Sequence, residues 1–161
     1  MEIIELDELR EMLWRANWIE SQLELAVQWE AYAYISEKYR DIIFKITHES
    51  QGHRITLNRL CKKLDGIDLE NYTGITKIKE PELKFKHMTD QEMLSEIMKY
   101  ENLALDIYKK LHFYSNRELI KKIWRGEEPE EYFKTLQQII KDEERHICWL
   151  KPFVGKIERI M

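Results

Sequence analysis

The chain has 161 residues, with 43% hydrophobic and 35% charged residues but only 5 Gly and 3 Pro. That composition excludes disordered, collagen-like and turn-dense all-β classes and suits one domain, 1–161, with its own core. The net charge of −4 comes with no basic patch, which argues against nucleic acid. The start, Met1-Glu2-Ile3-Ile4-Glu5, is acidic where a leader would be basic, and no apolar run approaches about 18 residues, so no membrane span and a cytoplasmic location are expected.

Apolar residues recur at helical spacing along most of the chain. Leu9, Leu13, Ala16, Glu20, Leu23, Val27, Ala31 and Tyr34 step by three or four and predict helix A over 6–34. Ile42, Ile46, Ser50, His53, Leu57, Leu60 and Leu64 predict helix B over 39–64, which stops at Asp65-Gly66. Periodicity fails over 65–88, where Gly66, Gly74 and Pro81 stand among charges, and a long connection crossing end to end is expected. Thr89-Asp90-Gln91-Glu92 reads as a capping box opening helix C over 89–112, whose stripe holds Ile97, Glu101, Ala104, Tyr108 and Leu111. A short helix over 116–125 follows. Helix D spans 129–150 through Tyr132, Leu136, Ile139, Glu143, His146 and Leu150, ending before Pro152. The fold class expected is all-α, an antiparallel four-helix bundle with one long crossover between helices B and C.

Each stripe is interrupted near its middle by a residue that can ligate metal: Glu20, His53, Glu101, and the pair Glu143 and His146. An isolated carboxylate in a helical core costs several kcal/mol unless it is paired or neutralised, so four such interruptions ask for a common cause. A shared metal centre supplies one. Glu143-x-x-His146 sets an oxygen and a nitrogen one turn apart on one face. The chain also repeats weakly: Ile46-x6-His53-x3-Leu57 matches Ile139-x6-His146-x3-Leu150, as a helix pair used twice around a two-fold centre would.

This joint placement, over about residues 9–150, resembles the rubrerythrin branch of the ferritin-like superfamily, in which helices A and C each give one Glu and helices B and D each give Glu-x-x-His. The resemblance implies a metal site of Glu20, His53, Glu101, Glu143 and His146, with Tyr108 beside it. It implies two metal ions, Fe first and Mn or Zn as alternatives, and an oxidoreductase acting on peroxide or O2 with an external electron donor. Two positions depart from the pattern. Ser50 stands where helix B should carry its glutamate, and Ala104 stands where peroxide-reducing members carry an additional one. Glu49, four residues before His53 and about 40° from it on the helix face, becomes a ligand if a π-bulge near Gly52 swings it into the Ser50 direction. The alternative is a non-catalytic dimeric module with a degenerate metal site.

Helix A has a second apolar side, Trp14, Trp18, Leu25, Trp29 and Tyr32. An aromatic patch of that size predicts a homodimer, or a swapped dimer, through Trp14, Trp18, Trp29 and Tyr32. Cys61 and Cys148 form no C-x-x-C pair and are expected as free, buried thiols.

Overall fold

The computed structural model describes residues 1–22, 27–70 and 85–154. Among these residues the chain is all-helical, with α1 (Leu6–Gln22), α2 (Gln28–Tyr34), α3 (Glu37–Lys62), α4 (Asp90–Tyr114), α5 (Arg117–Ile123) and α6 (Glu130–Val154). A 3-10 turn, Phe85–His87, precedes α4. Among the described residues, extended pairing is limited to two isolated bridges, Ile3 with Ser115 and Leu64 with Trp124.

The helices form for the reasons their sequences suggest. Every stripe residue of α4 and α6 named above is buried. The capping box is present: Thr89 Oγ1 accepts from the Glu92 amide, and the Glu92 carboxylate accepts from the Thr89 amide. Asn116 caps α5 through the Leu119 amide.

Four expectations need correction. Helix A over 6–34 is not α-helical throughout: Val27, between α1 (Leu6–Gln22) and α2 (Gln28–Tyr34), lies in a π-type turn. Tyr34, at the end of that stripe, is half exposed. Pro152 does not stop the last helix but sits in its final turn. Cys61 is buried as expected, whereas Cys148 is exposed. Leu23, Leu25, and the stretch of the 65–88 connection from 71 to 84 lie outside the described residues.

The core is divided in two. One apolar cluster takes Leu9 to Ile19 of α1, Leu57 to Cys61 of α3, Ala104 to Leu111 of α4 and Tyr132 to Ile140 of α6. The other takes Val27 to Ile35 around α2, Tyr39 to Ile46 of α3, Met93 to Ile97 of α4, and Leu150 and Val154 of α6. Between the two stretches on every helix path lies a buried polar residue: Glu20, then Ser50 and His53, Glu101, and finally Glu143 with His146, and Gln28 is buried just after Val27. A polar layer thus crosses the core at one level. The chain passes from the first cluster to the second through α1 and α2, back through α3, back again in the same sense through α4, and forward through α6.

Candidate metal centre

The polar layer gathers five side chains from four helices: Glu20 (α1), His53 (α3), Glu101 (α4), and Glu143 and His146 (α6). All are buried, and the three glutamates and His146 are 0% exposed. Their ligand atoms form two compact groups, Glu20 with His53 and Glu143, and Glu101 with Glu143 and His146, each within 4.8 Å throughout. Glu143 belongs to both.

Both histidines are held in the same way. His53 turns Nδ1 inward, 2.9 Å from Glu143 Oε1 and 3.4 Å from Glu20 Oε1, and turns Nε2 outward to Asp142 Oδ2 at 3.0 Å. His146 turns Nδ1 inward, 2.8 Å from Glu101 Oε2, and Nε2 outward to Glu49 Oε2 at 2.6 Å. An outer N–H donated to a carboxylate fixes the tautomer and leaves the inner nitrogen a lone pair for an ion. The two rings stack with centroids 5.8 Å apart. Arg145 holds the outer carboxylates, 2.6 Å from Glu49 and 3.2 Å from Asp142.

The glutamates are positioned too. Tyr108, fully buried, donates from its hydroxyl to Glu20 Oε1 at 2.9 Å, and Gln28 donates from Nε2 to Glu101 Oε1 at 3.0 Å. What remains is a set of buried acceptors without donors: Glu20 Oε2, both oxygens of Glu143, and Ser50 Oγ. The contact of His53 Nδ1 with Glu143 is close but out of line for a hydrogen bond. Buried carboxylate oxygens are costly when unmatched, and a cation is the partner this donor set fits.

The electrostatics agree. Burial, and then the neighbouring Glu143 charge, push the Glu20 carboxyl up to about 7. Burial likewise lifts Glu101 to about 7, with Glu20 adding to the rise. Glu143 reaches about 8 through burial and then the Glu101 charge. For His53 burial acts downward, yet contacts with Asp142, Glu143 and Glu20 outweigh it and carry the imidazole up to about 12. Without a cation, the His53 proton is the nearest thing to a counter-ion in this layer.

The five residues expected from the sequence as ligands are brought together, and Tyr108 touches the site through Glu20. Glu49 is placed differently. α3 is continuous α-helix through Gly52, so the proposed π-bulge is absent, and Glu49 meets the outer nitrogen of His146 rather than joining either ligand group. The π-type turn is at Val27 instead. Sequence reading missed Gln28, Asp142 and Arg145. The signal for Asp142 was available: Glu49 and Asp142 each stand four residues before a histidine, and each pairs with the histidine of the other helix. Glu24, one helical turn after Glu20 in the sequence, lies outside the described residues. A surface cavity of about 500 Å³ opens by Asn58, Lys62 and Arg125, and none of the five ligand-type residues lines it.

Trp14 and Trp18 are half-buried and pack on the first cluster, and Tyr32 on the second. Trp29 remains exposed, in edge contact with Tyr32 at 5.9 Å and with Phe44, itself exposed, at 6.2 Å. No helix among the described residues is long and apolar enough to cross a membrane.

Compared with protein-family models, curated proteins and solved structures, the chain matches none.

Proposed function

We propose that the chain is a ferritin-like four-helix protein that binds two metal ions, iron first, and acts as an oxidoreductase on peroxide or O2 in the manner of rubrerythrins. The observation that carries this reading is Glu143, a fully buried carboxylate common to two ligand groups and without a hydrogen-bond donor on either oxygen. The order in which the helices traverse the two apolar clusters supports an antiparallel bundle with one long crossover between α3 and α4.

Iron or manganese bound here would supply electrons to the oxidant. The protein's own groups do the rest. Glu20 and His53 would hold one ion and Glu101 and His146 the other, with Glu143 within reach of both groups. Tyr108 and Gln28 each engage one oxygen of a glutamate, which fixes its rotamer. Burial excludes water from the ligand layer. Bound cations would take the place of the proton that burial keeps on Glu143 and of the inner His53 proton that its carboxylate neighbours hold, while the outer Nε2–H stays donated to the half-buried Asp142 carboxylate. Electrons come from an external donor.

Metal analysis of protein purified without chelators tests the reading. It expects about two Fe or Mn per chain, by direct count of the two ligand groups, and an absorbance that changes on exposure to peroxide. Ser50, where a carboxylate would be expected, favours the second reading, a degenerate non-catalytic module. A metal-free protein that gains no thermal stability on adding Fe(II), Mn(II) or Zn(II) would establish that alternative. The exposed pair Trp29 and Phe44, with Tyr32 beside them, supports self-association as a homodimer, which light scattering reads directly.

A further inference from the structure

The two ligand groups differ in what their atoms already do. In the first, Glu20, His53 and Glu143, the atoms able to ligate are bare: Glu20 Oε2, His53 Nδ1 and both Glu143 oxygens make no hydrogen bond, although the three side chains are buried. Tyr108 takes only Oε1 of Glu20, and Asp142 takes only the outer Nε2 of His53. In the second group Glu101 and His146 satisfy each other. His146 Nδ1 is hydrogen-bonded to Glu101 Oε2 at 2.8 Å, Gln28 Nε2 donates to Glu101 Oε1 at 3.0 Å, and Glu49 engages His146 Nε2 at 2.6 Å. Neither Glu101 nor His146 has a ligating atom left over.

Buried polar atoms without partners are unfavourable, and an ion at the first position relieves them without breaking a hydrogen bond. An ion at the second position has to part His146 Nδ1 from Glu101 Oε2. A buried hydrogen bond to a carboxylate is worth about ten- to a hundredfold in affinity. Glu143, common to both groups, has two bare oxygens and so one for each ion.

We propose that, on the two-metal reading above, the centre fills in a fixed order. The first ion enters at Glu20, His53 and Glu143, a position already formed in the metal-free chain. The second position opens only when Glu101 and His146 let go of each other. The protein therefore has a one-metal state of its own, and two different metals supplied in turn form an ordered pair.

The test uses the whole chain with its histidine ring nitrogens isotopically labelled, titrated with Zn(II), which a Glu/His donor set accepts, and followed by NMR. His53→Gln and His146→Gln assign the signals. The His53 signals are expected to shift within the first equivalent and the His146 signals only in the second, whose affinity is about ten- to a hundredfold weaker. Glu101→Gln should bind one zinc per chain with the first affinity kept, whereas Glu20→Gln should lose the tight step and keep the weak one. His146 shifting first, or both histidines shifting in parallel from the first addition, overturns the proposal alone. So does a Glu101→Gln chain that loses the tight step. A chain that takes up no zinc overturns the two-metal reading and this proposal with it. One that stops at a single ion on His53 overturns the two-metal reading and keeps the preformed position.

Discussion

Glu143 brings into the interior two oxygens that accept no hydrogen bond, and Glu20 and Glu101 lie beside it, so the metal-free layer holds three carboxylates that resist ionisation. Their folded-state values of about 7, 7 and 8 exceed the ordinary carboxylate value of 4.5. Stability tied to such raised groups is fully present below the unfolded value and is lost as pH rises through the folded one. The His53 contribution, raised from 6.5 to about 12, likewise declines above pH 6.5. Metal-free protein should therefore melt at progressively lower temperature from about pH 5 to pH 8, and metal-loaded protein should not, because ions favour the deprotonated ligands. Thermal melts across that range check it, and a metal-free melting temperature that climbs instead would contradict it. Asp142 holds His53 with its inner nitrogen toward the site. Asp142→Asn should weaken metal binding by on the order of ten- to a hundredfold, measured by competition with a chromophoric chelator. Equal affinity would mean that Asp142 does not orient the imidazole.

At the scale of the helix, what was legible was the apolar stripe and what interrupted it. Glu20, His53, Glu101, Glu143 and His146 stood out because each broke a run of buried positions, and each is buried. Gln28, Asp142 and Arg145 did not, since polar residues just off a stripe look the same whether they meet water or an imidazole. The exact course of a helix was less legible. A bulge was expected at Gly52 because glycine is a poor helix former, yet α3 runs straight through it, held by packing on both sides: Ile46, His53 and Leu57 are all buried. The π-type turn at Val27 has no glycine or proline to mark it. Gly52 itself is exposed, and a Cβ there meets nothing within 4 Å. Gly52→Ala should accordingly stabilise the chain by about 0.5–1 kcal/mol, seen as a higher urea midpoint at unchanged slope. A lower midpoint would show that the helix needs glycine at this point.

For the molecule as a whole, composition gave the helical class, since so few Gly and Pro leave little else. It gave nothing of the division into two apolar clusters with a polar layer between them, because that division depends on which level of each helix lies beside which. Only with the helices packed do the glutamates from α1, α4 and α6 fall at one height with both histidines. The exposed aromatic face narrowed for a related reason: Trp14 and Trp18 find partners in the first cluster, and Trp29 with Phe44 of α3 is left outside. The polar layer is the feature of the whole that the proposed function depends on. Anomalous diffraction from crystals of the protein soaked in Fe(II) or Mn(II) tests it most directly. Two anomalous peaks are expected, one against Glu20, His53 and Glu143 and one against Glu101, Glu143 and His146. Crystals that show no ordered ion between these residues, with Glu143 still buried and bare, would contradict it.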